Sequence, residues 1–176
     1  MSALSEFIGQ TFEGRDFKGQ DFSGVVLTRA VFIDCAFVDC NLSNAKLDGC
    51  SLRGVRFVGC KAIGLAFSSV NPLMLDMMFE NCKLEICDFG GLKMRVTRFT
   101  DCAVRRCDFQ NADLTEADFS GSDLLGSEFR HTILSKADFR TARQYFLDPS
   151  VNRVKGAKFS YPEVLGLLAP FGVVVE

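Results

Sequence analysis

Residues 111–126 read NADLTEADFSGSDLLG, and this stretch repeats a five-residue unit. Leu114, Phe119 and Leu124 are five residues apart, and a small residue stands two positions before each of them. A period of five matches neither the 3.6 residues of an α-helix nor the two of a plain strand. The spacing therefore predicts a chain that turns a corner once per unit and keeps the large side chain inside.

The same spacing extends along most of the chain in two runs. From Phe12 to Phe67 every fifth residue is Phe or Leu, except for Ala62, and from Phe79 to Phe139 every fifth residue is apolar. The second run is shifted by two residues from the first. An internal repeat of fixed period is typical of a solenoid, in which each coil is stabilised by its neighbours.

The position two residues before each large residue is small, and it contains all the cysteines of the chain. They are Cys35, Cys40, Cys50, Cys60, Cys82, Cys87, Cys102 and Cys107. Cysteine is a small side chain that is readily buried, so packing alone accounts for it at this position. The cysteine spacings of five and 20 contain no C-x-x-C pair and no histidine partner, which argues against zinc. We predict no metal and no cofactor.

Composition and the single histidine argue against an enzyme. The chain has 176 residues, 48% of them hydrophobic and 24% charged, as in one soluble domain. His131 falls on the outside of the coil, whereas nucleophilic catalysis needs a base held against a nucleophile. We predict no catalytic and no cofactor-binding residues.

Charge and hydropathy narrow the partners and the location. The net charge of −2 argues against a polybasic nucleic-acid binder. Residues 1–10 carry no secretory signature, and no apolar stretch approaches the length of a membrane span. We therefore expect a cytoplasmic protein that contacts neither membrane nor nucleic acid directly.

The units ADLTE, ADFSG and ADFRT, at residues 112–116, 117–121 and 137–141, resemble the consensus of the pentapeptide-repeat family. That resemblance implies an all-β solenoid, a right-handed quadrilateral β-helix with four units, or 20 residues, in each coil. The sequence agrees at this longer period, since Asp88, Asp108 and Glu128 recur 20 apart. We expect the β-helix to span 1–159 and a C-terminal capping helix with a dimerisation tail to span 160–176.

The phase shift between the two runs predicts a break or loop at 68–78, with the sequence SSVNPLMLDMM. One interpretation is a tolerated insertion, because surface loops accept extra residues at small entropic cost. The other is a partner-binding loop formed by Asn71, Pro72, Leu73 and Met74. Exposure of Leu73, Met74 or Met77 favours the second interpretation.

The repeat lapses again at 141–153, where we predict a second loop, and GAKFS at 156–160 restores one unit. Ser160 and Glu163 have the spacing of a capping box, which predicts a helix over about 161–169, stopped by Pro170. The apolar tail FGVVVE favours a strand, which either packs on its own helix or pairs with a second copy. We favour a dimer, with an interface formed by Leu165, Leu168, Phe171, Val173, Val174 and Val175.

Residues 146–176 resemble the C-terminal module of the quinolone-resistance (Qnr-type) and microcin-immunity proteins of this family. The positions that match are Asn152, Ala157, Phe159, Ser160 and Pro162. The resemblance implies dimerisation through this module. It also implies binding to type II topoisomerases, with protection of DNA gyrase from a drug or toxin.

Acidic residues precede the large residue in many units of the second run. They are Asp88, Asp108, Asp113, Asp118, Asp123, Glu128 and Asp138. One interpretation is that a short polar side chain suits the turn. The other is that this acidic face imitates the phosphates of duplex DNA and binds a topoisomerase. Basic residues oppose the mimicry outside the region nearest the C-terminus, namely Lys83, Lys93, Arg95, Arg98, Arg105 and Arg106.

The sequence supports two hypotheses for the function. The first is a dimeric binding protein that protects DNA gyrase or topoisomerase IV from a quinolone or a peptide toxin. The second is a scaffold or effector that uses the rod as a protein-binding surface with no topoisomerase partner.

Overall fold

The computed structural model describes residues 7–174 and confirms the predicted fold, a right-handed quadrilateral β-helix. Successive coils pair in parallel and in register, as when Phe17 pairs with Phe37 and Phe37 with Phe57. We number the four faces of the coil in chain order. The strands of face 1 are β1 (Thr11–Glu13), β3 (Val31–Ile33) and β5 (Ser51–Arg53); those of face 2 are β2 (Asp16–Lys18), β4 (Ala36–Val38), β6 (Val55–Val58), β8 (Met77–Glu80) and β10 (Phe99–Thr100); those of face 3 are β7 (Lys61–Ile63), β9 (Lys83–Glu85) and β11 (Ala103–Arg105).

Face 4 is held by isolated β-bridges instead of strands in the described part of the chain. Ala66 pairs with Asp88, Asp88 with Asp108, and Asp108 with Glu128. Similar bridges continue faces 1, 2 and 3 towards the C-terminus, ending at Arg153, Lys158 and Arg143 respectively. Face 4 therefore ends at Glu128, before any of the other faces.

Stacked phenylalanine rings fill the inside of face 2. Neighbouring ring centroids are 4.9–5.3 Å apart, and the ring planes differ by at most 17°. The column consists of Phe17, Phe37, Phe57, Phe79, Phe99, Phe119, Phe139 and Phe159. Phenylalanines of face 4 meet this column edge-on, as Phe109 meets Phe119 at 88°. Stacked and edge-on pairs are both favourable for aromatic rings, which explains the phenylalanine content.

The small residues two positions before the core bind the backbone of neighbouring coils. The Ser122 hydroxyl accepts the Cys102 N–H at 2.9 Å and donates to the Phe99 carbonyl at 2.6 Å. The Cys102 sulfur accepts the Cys82 N–H at 3.3 Å, so cysteine fills the same role one coil earlier. All eight cysteines are buried free thiols, and burial raises the pKa of Cys50 to about 12. A neutral thiol suits a packing role.

The phase shift at 68–78 is absorbed within one coil. Phe57 pairs with Phe79, two residues beyond the usual 20, and the next pair is Phe79 with Phe99. The loop is shorter than the predicted 68–78, because a short 3₁₀ helix occupies Phe67–Ser69 and β8 begins at Met77. Met77 is a core residue, so only part of the predicted loop leaves the coil.

The C-terminal helix is present but differs from the predicted one. It is a 3₁₀ helix at Glu163–Phe171 and not a helix over 161–169. The prediction of a capping box is wrong, because Pro162 is the N-cap. Ser160 contributes its backbone carbonyl, which accepts the Val164 N–H at 3.0 Å. Pro170 lies inside the helix and does not stop it. The helix ends at Phe171, and its C-cap is Gly172, a left-handed residue with φ of 65°.

The described part of the tail forms no strand in the single chain, and its pairing with a second copy stays a prediction. Phe171 belongs to the helix, and no strand includes residues 172–174 in this chain. No side chain of the helix is fully buried, although Leu167 packs partly against the core.

Across residues 7–174, none of the helices has the length and apolar character needed to cross a lipid bilayer.

Replacement of Ser122 tests the hydrogen bonds between coils. Ser122→Ala leaves the Cys102 N–H and the Phe99 carbonyl unpaired in the core, so we expect a loss of about 1–3 kcal/mol in the free energy of unfolding. Ser122→Cys is the matched control and should lose less, because cysteine fills this position in the preceding coils. Urea denaturation measures both, and equal stability of the alanine variant and the wild type would contradict the role of the hydroxyl.

Candidate functional site

The seven predicted acidic residues form two columns and two isolated positions. Asp88, Asp108 and Glu128 are paired neighbours on face 4, and Asp118 pairs with Asp138 on face 2. Asp113 lies on face 1, between Lys93 and Ile133, and Asp123 lies on face 3, between Ala103 and Arg143. The seven residues do not lie on one surface, because faces 2 and 4 are on opposite sides of the coil.

Six of the seven carboxylates have a local role in the turn. Each accepts the backbone N–H two residues later, as the Asp108 carboxylate does from Gln110 at 2.7 Å. The amide oxygens of Asn41 and Asn71 accept the same bond, so the turn requires an oxygen and not a charge. Glu128 is the one acidic residue of the set without this bond.

Arginine neutralises three of the six. Arg95 binds Asp113 at 2.6 Å and Arg105 binds Asp123 at 2.5 Å, and both carboxylates are buried. Arg140 binds Asp138 at 2.7 Å, and this bond is the main cause that lowers the pKa of Asp138. These three acidic residues present little unpaired charge to a partner.

The remaining carboxylates are concentrated on face 4. Asp88 uses its second oxygen to accept the Ser68 hydroxyl at 2.5 Å, while Asp108 and Asp118 form no ion pair within the described residues. The Glu128 side chain is 61% exposed, with Arg130 at 3.6 Å. We call Asp88, Asp108 and Glu128 the acidic column.

The opposing basic residues affect the two columns differently. Arg98 is the paired neighbour of Asp118 on face 2, so that column begins next to a cation. On face 4 the neighbour of Asp88 is Ala66. Lys83 and Arg106 both bind Glu85, which reduces their effect elsewhere. The acidic column on face 4 is therefore the less neutralised of the two.

The predicted partner loop forms an apolar protrusion on face 1. Leu73 and Met74 are 64% and 67% exposed, and Pro72 is exposed beside them. Asn71 fixes the turn, because its amide donates to the Ser51 hydroxyl at 3.3 Å and its oxygen accepts the Leu73 N–H at 3.0 Å. The protrusion lies on a different face from the acidic column.

The predicted dimer residues lie on the outside of the C-terminal module. Leu165 is half-buried, while Phe171, Val173 and Val174 are exposed, Val174 to 82%, and Leu168 is just exposed at 36%. Val175 lies outside the described residues. An isolated chain thus presents several apolar side chains at this end.

One feature was not predicted from the sequence. A groove of about 520 Å³ opens on face 4 beside Glu128, lined by residues 126–131 and by Phe146, Asp148 and Val151. The signal that indicates it is Pro149, which stands 20 residues after Phe129 where a large core residue is expected. The chain leaves face 4 at this point, and His131 lies in the groove wall.

Replacement of Arg140 tests the ion pair of Asp138. The hydrogen bond from Arg140 lowers the pKa of Asp138 below 3.8, so this carboxylate stabilises the folded state above that pH and loses its effect as the pH falls through the lowered pKa. Arg140→Gln should unfold more readily at pH 7, and its difference from the wild type should shrink towards pH 3. Thermal denaturation across this range measures it, and a pH-independent difference would contradict the assignment.

Comparison with known proteins supports the fold. Models of the pentapeptide repeat region and of pentapeptide repeats (8 copies) match residues 66–139 and 35–71. Among curated proteins, none matches this sequence.

Solved structures show the same architecture. A trypsin-treated variant of QnrB1, a plasmid-mediated fluoroquinolone resistance protein, superposes with a TM-score of 0.69 at 19% identity, over 98% of this chain and 94% of that one. A second such variant gives 0.60 at 20% identity, over 97% and 92%. HetL, involved in heterocyst differentiation regulation in the cyanobacterium Nostoc sp. strain PCC 7120, gives 0.52 at 12% identity, over 90% of both chains. The two family models together cover 35–139, well over half of the chain, and this protein therefore belongs to the pentapeptide-repeat family.

Proposed function

We propose that this protein is a non-enzymatic binding protein that associates with DNA gyrase or topoisomerase IV and protects it from a quinolone or a peptide toxin. The observation that carries the proposal is the in-register pairing of Asp108 and Glu128 on face 4, with Asp88 before them. Within the described residues Asp88 and Asp108 bind no arginine, and Glu128 is 3.6 Å from Arg130. Asp113, Asp123 and Asp138 are held more closely, each by an arginine at 2.7 Å or less. The fold shared with QnrB1 is consistent with this activity.

The charge spacing of the acidic column is of the right order for DNA mimicry. Paired coils repeat at about 4.8 Å, which places one carboxylate per coil at that interval. Each strand of duplex DNA carries one phosphate per about 3.4 Å along the axis. A basic DNA-binding surface would therefore meet a row of charge of comparable density along this short length.

Neutralising the acidic column tests the proposal directly. Asp108→Asn/Glu128→Gln keeps the turn, since asparagine already forms it at Asn41 and Asn71, but removes two charges. In a supercoiling assay with purified gyrase and ciprofloxacin, we expect the wild type to restore supercoiling. The variant should need about tenfold more protein, which corresponds to about 1.4 kcal/mol of lost affinity.

The matched control is Glu13→Gln/Asp48→Asn, which removes two exposed charges from the N-terminal coils. It should protect gyrase as well as the wild type does. Absence of any protection by the wild-type protein would overturn the gyrase proposal. Equal loss in both variants would show that net charge matters and the acidic column does not.

A scaffold function without a topoisomerase is the second candidate. The observation that favours it is that six of the seven acidic residues serve the turn, which explains their presence without a partner. The exposed Leu73 and Met74 offer a separate apolar contact on face 1. Affinity capture from the source cell that recovers other proteins but no topoisomerase subunit would favour this function.

We also propose that the C-terminal module mediates a homodimer. Phe171, Val173 and Val174 together expose an apolar surface at one end of the rod, and such surfaces are typical of interfaces. Pairing across a two-fold axis would bury this surface on both copies at once. Residues Leu165 and Leu168 extend it along the helix.

Sedimentation measurements test the dimer. Phe171→Asp/Val174→Asp places two charges in the proposed interface, so we expect the mass to fall from that of two chains to that of one. Leu73→Asp is the control, because it adds a charge to an exposed apolar residue on face 1 and should leave the mass unchanged. A wild-type mass of one chain would contradict the proposal.

A further inference from the structure

Face 4 has no bridge after Glu128 among the described residues, because the chain bulges away from the coil there. In the preceding coil Phe109 N–H donates to the Glu128 carbonyl and Asn111 N–H to the Arg130 carbonyl, both within 3.0 Å. The equivalent donors one coil later, Phe129 N–H and His131 N–H, find no acceptor among the described residues, and the Ser127 carbonyl receives no donor. This edge of the ladder is therefore left open.

The segment that should have paired with this edge is held aside. Tyr145 and Leu147 turn into the core and fill it, so the bulge is anchored at one end. At the other end the Asn152 amide donates to the Phe129 carbonyl at 2.8 Å and to the Asp148 carbonyl at 2.9 Å. Asn152 is itself buried, which makes the bulge a fixed part of the fold.

The bulge and the open edge enclose the groove of about 520 Å³. Its volume falls within the range of about 300–1,000 Å³ that is usual for binding sites. Phe146, which is 58% exposed, and Val151, which is 41% exposed, provide apolar contacts within it. An unpaired edge between apolar side chains is the arrangement that binds an extended peptide by strand addition.

The charges in the groove indicate which peptide fits. Glu128 and Asp148 are both part of its lining, and the hydrogen bonds from Ser150 lower the pKa of Asp148, so this carboxylate is ionised at neutral pH. Arg130 offsets part of this charge, at 3.6 Å from Glu128, so two carboxylates stand against one guanidinium. The balance of charge is negative and complements a basic residue.

We propose that this groove binds an extended segment of a partner protein in which a lysine or arginine is flanked by apolar residues. The backbone of the segment pairs with Phe129 N–H, His131 N–H and the Ser127 carbonyl, and so replaces the missing bridge of face 4. The basic side chain stands beside Glu128 and Asp148, and the apolar side chains contact Phe146 and Val151. This site goes beyond gyrase protection and does not depend on it.

The test uses the full chain and a labelled peptide, acetyl-Thr-Val-Lys-Val-Thr-amide, in a fluorescence anisotropy titration. We expect saturable binding. The same peptide N-methylated at its lysine keeps every side chain but loses the N–H that pairs with the Ser127 carbonyl, so it should bind at least about tenfold more weakly. Equal binding of the two peptides, or no binding of either, would overturn the proposal.

Protein variants locate the site. Phe146→Ala and Glu128→Gln/Asp148→Asn should each weaken the peptide several-fold, and Asp148→Asn preserves the turn that Ser150 closes. Glu116→Gln is the control, because this exposed carboxylate binds Lys136 on the opposite side of the coil, and it should bind the peptide as the wild type does. A control that weakens binding equally would overturn the assignment to the groove. Binding that appears only after residues 172–176 are removed would also overturn it, because the groove would then hold a tail of this chain.

Discussion

Parallel hydrogen bonding between neighbouring coils is the interaction on which the rest of the structure depends. Within a coil the backbone bonds are mostly short turns, such as Ala112 N–H to the Phe109 carbonyl. Most other backbone donors find their acceptor in a neighbouring coil, as Phe109 N–H does at Glu128. This constraint fixes the coil length, which fixes the stacking of the phenylalanine column. It also explains the small residues before the core, because Ser122 and Cys102 satisfy backbone groups that would otherwise be buried without a partner.

The same hydrogen bonding leaves the charge of some outward carboxylates available at the surface. A carboxylate such as that of Asp108 gives one oxygen to the turn, and the other oxygen faces outward at the interval of the coils. Its charge is not needed by the turn, because Asn41 forms an identical bond. The fold can thus carry a row of charge on one face at no cost to its backbone, and that row is what we propose a topoisomerase contacts. Asp113 and Asp123 are the opposite case, because Arg95 and Arg105 bind their carboxylates within the protein.

Most of the fold was predictable from the sequence, because the period of five and the small residue before the core are local and unambiguous. The columns of Asp88, Asp108 and Glu128 followed from the same period. The neutralisation of Asp113 by Arg95 was not predictable, because these residues are 18 apart and meet only after the coil closes. The predicted cap of the C-terminal helix was wrong. The spacing of Ser160 and Glu163 is a local pattern of a capping box, but Pro162 occupies the cap position in the structure.

The groove on face 4 could not be predicted for a related reason. Pro149 showed that the repeat lapses, but only the structure places Asn152 between the bulge and the coil and leaves one edge unpaired. The missing bridge on face 4 is a property of the stacked coils. It connects the hydrogen bonding that builds the rod with the surface that we propose binds a partner.

Amide hydrogen exchange of the free protein, resolved residue by residue, tests this account most directly. If the hydrogen bonding between coils stops on face 4 at this edge, Phe109 and Asn111 should exchange slowly, while Phe129 and His131, at the same positions one coil later, should exchange at least about a hundredfold faster. Equal protection of the two pairs would contradict the account, because it would mean that the ladder continues through face 4 and leaves no edge for a partner.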